Sequence, residues 1–196
     1  APPSYATLRA LLRGAGREPT GLLYFPYLLG ATAPHRDSDV RAAIIGLSNH
    51  HGRATLARAV LEGLAFELEV VRRAGEHAAG RPIHDVVAAG GGTRLTEWLS
   101  IKADVSNVTI APVIEAEAAL LGAALLAGVG AGVYRDHAEA QNLARRRTRS
   151  AEAFITPDAL RHARYKNLFE HGYLPLQAPL REFGRWLSND RATSSH

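Results

Sequence analysis

Apolar and polar positions along the chain switch between two periods, and the switches lay out its elements. Within the first twenty residues a short amphipathic helix ends at Gly14 or Gly16 and gives way to a loop. GLLYFPYLLG, residues 21–30, is apolar, of strand length and bounded by glycines. TAPHRDSDVR carries the Pro, Asp and Ser of a loop, and AAIIGL, residues 42–47, reads as a second short strand. From about Thr55 to Ala74, Leu56, Val60, Leu64, Leu68 and Val71 recur at helical spacing. Arg58 and Glu62, and Glu69 and Arg73, stand four apart on what reads as the exposed face. GEHAAGRP is a linker before the strand DVVAA. Then come glycines, a helix over 94–106, the strand VTIAP and a helix over 115–129. A further helix covers Pro157 to about Phe169, and HGYLPL leads to a last one carrying Phe183 and Trp186. NDRATSSH, residues 189–196, reads as a disordered tail.

Strand, glycines, helix, strand, helix in mid-chain predicts an α/β architecture. Three adjacent residues without a Cβ cost conformational entropy on folding, so the cluster Gly90, Gly91 and Gly92 marks something that must come close to the backbone. A strand handing over to a helix N-terminus offers free N–H groups and the positive end of a helix dipole, which suit a phosphate or the polar edge of a base. The spacing is neither the GxGxxG of dinucleotide folds nor a GxxxxGK[ST] phosphate loop.

Composition narrows the classes. The 196 residues contain no cysteine, so thiolate metal sites and a disulfide framework are excluded, and the cytosol is the expected compartment. No apolar run reaches the roughly 20 residues that span a bilayer, and no membrane partner is expected. The formal charge of +4 comes from arginine, with Lys only at 102 and 166. Its one dense cluster, RRRTR at 145–149, lacks interleaved aromatics and reads as a solvated helix face or loop rather than a nucleic-acid contact. His50 and His51 would diverge by about 100° on a helix, and the other histidines show no ligand spacing, so no metal site is expected. There is no GxSxG nucleophile elbow.

Four segments in order, GLLYFPYLLGATAPHRDSDVRAAIIGL, TLARAVLEGLAFELE, AAGGGTRLTEWLSIKADV and EAALLGAALLAGVGAGVY, together resemble the C-terminal domain of the FGGY carbohydrate kinases. The resemblance implies a ribonuclease-H-like, actin-like ATPase fold: three layers, with a mixed central sheet flanked by helices. It implies that residues 1–188 form this C-terminal domain, that 189–196 are tail, and that ATP and a sugar bind between two domains. Gly90, Gly91, Gly92, Thr93, Arg94 and Leu95 would then line the adenosine site, Gly92 lacking a side chain because the base needs its space. Leu95 stands where the family commonly has Asn or Ser, and Glu117 matches the Glu ahead of the family's LGAA. Arg36 falls at a common Trp position, Ala42 at a common Gly, and Thr55 where an amide, acid or His is usual.

The same resemblance places the acidic phosphate loop, the catalytic Asp and most of the magnesium coordination in the N-terminal domain, and neither of those motifs stands in these residues. The expectation is therefore the ATP-binding half of a carbohydrate kinase, without catalytic residues of its own, obtained as a fragment, a cleavage product or one member of a split pair. Its acceptor would be a sugar or polyol, best a pentulose such as xylulose. Its cofactors would be ATP and Mg2+, and its partner the matching N-terminal kinase domain, with a homodimer also compatible. Two other classes stay open: a non-catalytic nucleotide-binding or regulatory protein that kept the fold, and a different actin-like or dinucleotide-binding α/β protein.

Overall fold

In the computed structural model of the chain, residues 4–113, 118–148 and 154–193 are described. Helix α1, Tyr5–Gly14, starts on the Ser4 side chain, which accepts from the Thr7 amide. Strand β1, Leu23–Phe25, pairs antiparallel with β2, Ala43–Ile45. Only three residues of GLLYFPYLLG form strand, because Pro26 has no N–H to give a ladder. Beyond it Leu28 and Leu29 are exposed.

Helix α2, Arg53–Ala79, runs on into the expected linker and stops at Gly80 in the left-handed conformation. Its buried face comprises Arg58, Ala59, Leu61, Glu62, Gly63, Ala65, Phe66 and Glu69. This corrects the sequence reading twice. The apolar stripe lies on the flanks, with Leu68 and Val71 exposed, while the charged pairs read as exposed draw Arg58, Glu62 and Glu69 into the interior. The reason is that α2 packs against β1, α1 and α3, so no single face meets solvent along its length. At Gly63 the strand comes so close that an added Cβ would stand 2.1 Å from the Tyr24 carbonyl oxygen.

Strand β3, Asp85–Ala88, pairs in parallel with β4, Thr109–Pro112, in register from Asp85 opposite Thr109 to Ala88 opposite Pro112. Among the described residues the four strands make two separate two-stranded sheets rather than one mixed central sheet, so the layers are α/β with the sheet in two pieces. Helix α3, Thr96–Ser106, covers β3 and β4 by packing Leu99 and Ala103 with Val108, Ile110, Val86, Ala88 and Ile155.

Helix α4, Ala118–Gly130, packs on α5, His137–Thr148. The arginine cluster thus begins in the last turn of a helix, while residues 149–153 and Glu117 lie outside the described residues. Helix α6, Ala159–Leu168, continues through a π turn, Phe169–Tyr173, into α7, Leu174–Thr193. Helix α7 passes residue 188, where the sequence reading placed the start of a disordered tail; 194–196 lie outside the described residues.

The main core gathers Phe25, Phe66, Tyr165, Phe169 and Tyr173 from β1, α2 and the α6–α7 rod, with Leu12, Leu61, Ile101 and Val105. Phe25 and Tyr173 stack with ring centroids 4.4 Å apart, and Phe66 meets Tyr165 edge-on at 6.1 Å. Beneath them Arg58 donates to Glu62 at 2.9 Å, to the carbonyls of Gly16 and Arg17, and to the Tyr165 hydroxyl. Thr20 and Tyr165 both donate to the Glu62 carboxylate. A buried ion pair is tolerable when its remaining valences are filled in this way.

Candidate functional site

The end of β3 sets the geometry of the glycine turn. Ala88 is still held by β4, its carbonyl accepting from the Val113 amide at 2.8 Å. Two residues later Gly90 takes φ 95° and ψ −177°, a conformation essentially confined to glycine, and turns the chain into a single 3-10 turn, Gly91–Arg94. The Thr93 amide and hydroxyl both donate to the Gly90 carbonyl, at 3.1 and 2.8 Å. The Leu95 amide donates to Gly92, after which α3 begins.

The three glycines face different surroundings. A Cβ on Gly90 would meet nothing within 4 Å. One on Gly91 would stand 3.0 Å from the Tyr5 hydroxyl, and one on Gly92 only 2.7 Å from Cζ3 of Trp98. The indole of Trp98, in the first turn of α3, thus disfavours a side chain at Gly92 whether or not a base lies there. The open face of the turn belongs to Gly90, and as first residues of a helical turn Gly91 and Gly92 have amides without an intrahelical acceptor.

Thr93 is half-buried and Arg94 exposed, and these join Gly90–Gly92 in one turn. Leu95 does not share its surface. It is 2% exposed and packs beneath the turn, so this position offers apolar support where Asn or Ser would offer a hydrogen bond.

Four residues around the turn escaped the sequence reading. Arg9 reaches across from α1 to donate to the Arg94 carbonyl at 2.7 Å, and its Nε lies 3.6 Å from Glu97. Tyr5 stands over Gly91, Trp98 over Gly92, and the Lys102 ammonium lies 3.6 Å from the centroid of the Trp98 indole. Burial pushes the Lys102 ammonium below its ordinary range. The spacing of Trp98 and Lys102, four apart on a helix, was a signal that could have been read.

His50 and His51 lie in a turn rather than a helix, their rings 4.3 Å apart and both near the Ser48 hydroxyl. Among the described residues no three His, Cys, Asp or Glu converge on a point where a metal could sit, and no helix is long and apolar enough to cross a membrane.

The chain is similar to known proteins in sequence and in fold. Residues 5–131 match the model of the C-terminal domain of the FGGY family of carbohydrate kinases. The chain belongs to that family. It is 37% identical over 167 residues to a xylulose kinase of Bacillus subtilis, covering 82% of this chain and 32% of the relative. A Staphylococcus epidermidis xylulose kinase is 38% identical over 119 residues, 59% of this chain and 23% of the relative. Among solved structures, xylulose kinase from Rhodospirillum rubrum superposes with a TM-score of 0.73 at 29% identity, over 92% of this chain and 35% of that one. A kinase from Brucella ovis superposes with a TM-score of 0.74 at 29% identity, over 89% and 35%. The chain has the fold of these FGGY kinases, the actin-like ATPase fold, and spans about a third of the length of the Bacillus subtilis relative and of these two solved chains.

Proposed function

We propose that this chain is the adenosine-side half of an ATP-dependent carbohydrate kinase, which transfers the terminal phosphate of ATP to a hydroxyl of a pentulose such as xylulose. The observation that carries the reading is the open Gly90 face, joined to a helical turn with two uncommitted amides, in an FGGY-family chain. Adenosine would lie against Gly90 and Gly91, with Thr93 and Arg94 at the rim and Leu95, Trp98 and Lys102 as the wall behind. The role of this half is positioning: it fixes the nucleotide so that the transferred group meets the acceptor in line. Membership of the FGGY family supports assigning the magnesium ion and the acceptor base to the matching N-terminal kinase domain. We place the reaction in the cytoplasm.

An uncovered surface supports the need for that partner. Helix α4 is apolar all round yet buries no residue, and Val87 on β3 is exposed beside a sheet edge with no strand partner among the described residues. Helices of this kind are stable only when covered. The decisive experiment is a coupled ADP-release assay over pentuloses, hexuloses and polyols. The chain, the N-terminal domain and both together are each assayed with magnesium and ATP. Turnover of a pentulose by the pair alone is expected. A silent pair that still binds ATP would transfer the weight to a non-catalytic nucleotide-binding role, and turnover by this chain alone would refute the division of labour.

A further inference from the structure

A cleft of about 460 Å³ opens along the flank of α1 and α3, and none of residues 90–95 lines it. Leu12 and Ile101 form its apolar floor, and four arginines reach it from separate parts of the chain: Arg13 from α1, Arg17 from the following turn, Arg58 from α2 and Arg161 from α6. Two of these are already neutralised. Arg58 is buried against Glu62, and Arg161 donates to Asp104 at 2.7 Å. The remaining carboxylate of the cleft, Glu97, has Arg9 at 3.6 Å. Arg13 and Arg17 are exposed and make no ion pair among the described residues, so the cleft keeps two unbalanced guanidinium groups.

The backbone that carries the second of these is held in place. Arg58, itself 4% exposed, donates to the carbonyls of Gly16 at 2.9 Å and Arg17 at 2.6 Å, pinning the turn that carries Arg17 to the buried start of α2. The anchor fixes where the Arg17 side chain leaves the backbone. Thr96, also on the wall, contributes a hydroxyl with no hydrogen-bond partner among the described residues.

We propose that this cleft is a binding site for a phosphate-class anion, inorganic phosphate or a phosphate monoester, with Arg13 and Arg17 as the charged clamp and Thr96 as a neutral donor. Guanidinium groups match tetrahedral oxyanions with paired, charge-assisted N–H donors, and the volume admits a phosphate ester as well as the free ion. The site is separate from the glycine turn and does not depend on the kinase reading.

The test titrates isotope-labelled chain by NMR with inorganic phosphate, with xylulose 5-phosphate and with chloride at matched ionic strength. Saturable amide shifts at Gly16, Arg17 and Thr96 are expected with both phosphates and not with chloride. The double variant Arg13→Gln/Arg17→Gln should weaken phosphate at least about tenfold, the loss of a charge-assisted hydrogen bond. Arg81→Gln, an exposed arginine outside the cleft, should leave it unchanged. Tighter binding of the ester than of free phosphate identifies the monoester as the ligand, and equal binding identifies the free ion; either supports the site. Equal affinity of double variant and parent, or shifts confined to Gly90–Arg94, would overturn it, the latter without harm to the kinase reading.

Discussion

Helices α2 and α4 invert the usual relation between composition and burial. Helix α2 carries arginines and glutamates throughout and buries three of those charges; α4, AALLGAALLAGVG, has no polar side chain and buries nothing. The difference lies in their neighbours. Helix α2 lies among β1, α1 and α3, and its charges pair with one another and with backbone carbonyls. Helix α4 packs chiefly on α5 and leaves Leu120 and Leu126 more than 60% exposed. Burial follows the partners available, and a helix apolar on every side asks for more of them than α5 provides.

The sharpest way to break this contrast is to truncate one large side chain on each helix. Phe66→Ala opens a cavity among Tyr165, Phe169 and Tyr173 and should cost about 3–5 kcal/mol in urea unfolding. Leu126→Ala should cost no more than about 0.5 kcal/mol in the isolated chain, the ordinary range for a surface change. If the N-terminal kinase domain covers α4, Leu126→Glu should weaken assembly of the pair while leaving the stability of the chain alone nearly unchanged. Equal losses from Phe66→Ala and Leu126→Ala would show that α4 already has a core of its own.

The second contrast is electrostatic. Arg58→Met leaves Glu62 buried without its counter-ion and should cost about 3 kcal/mol or more at neutral pH. Arg73→Met, farther along the same helix, breaks a half-exposed pair with Glu170 and takes one of two arginines from the buried Glu69, which keeps Arg72, so it should cost less, about 1–2 kcal/mol. The two carboxylates themselves depend on pH with opposite sign. Burial raises the Glu62 carboxyl above its ordinary range, outweighing the hydrogen bonds from Thr20 and Tyr165 and the charge of Arg58. Its contribution is therefore most favourable below the usual glutamate range and is lost as pH rises through the folded value. The hydrogen bond from Arg73 lowers Glu170, whose contribution is present above the usual range and lost as pH falls. The penalty of Arg58→Met should thus shrink as pH drops from 7 toward 4, and so should that of Arg73→Met. For the first, Glu62 takes up a proton and no longer needs a counter-ion. For the second, Glu170 becomes neutral and its pair with Arg73 has nothing left to lose.

Much of this was legible in the sequence, and the misses share a cause. Elements with a clear period and clear stops, such as α1, α3 and β3, were found because those signals are local to the segment. The buried face of α2 was misplaced because Arg58 and Glu62 look like any surface i,i+4 pair until Gly16, Arg17, Thr20 and Tyr165 are brought around them from distant positions. Leu95 was grouped with the glycines because it follows them in sequence; its burial is decided by the turn's direction, which sequence does not display. The glycines were recognised as a group, but the different demands on them come from Tyr5 and Trp98.

That division of the turn into an open and a packed side permits the finest test of the contrast. Gly92→Ala drives a methyl to within 2.7 Å of the Trp98 ring and should lower stability by about 1–3 kcal/mol, the range for an overpacked site. Trp98→Leu should relieve that clash, so in a double-mutant cycle the two changes should couple by at least about 0.5 kcal/mol. Gly90→Ala meets no atom, and its cost, about 1–2 kcal/mol, comes from the backbone conformation alone and should be indifferent to Trp98. Nucleotide affinity in the assembled kinase should rank the other way. The methyl of Gly90→Ala projects into the space where adenosine would lie, whereas that of Gly92→Ala points into α3. Calorimetric titration with ADP should therefore show a larger loss for Gly90→Ala than for Gly92→Ala at a temperature where both are folded. The reverse order would move the nucleotide to the Trp98 side of the turn and add the base to the indole as a reason Gly92 has no side chain.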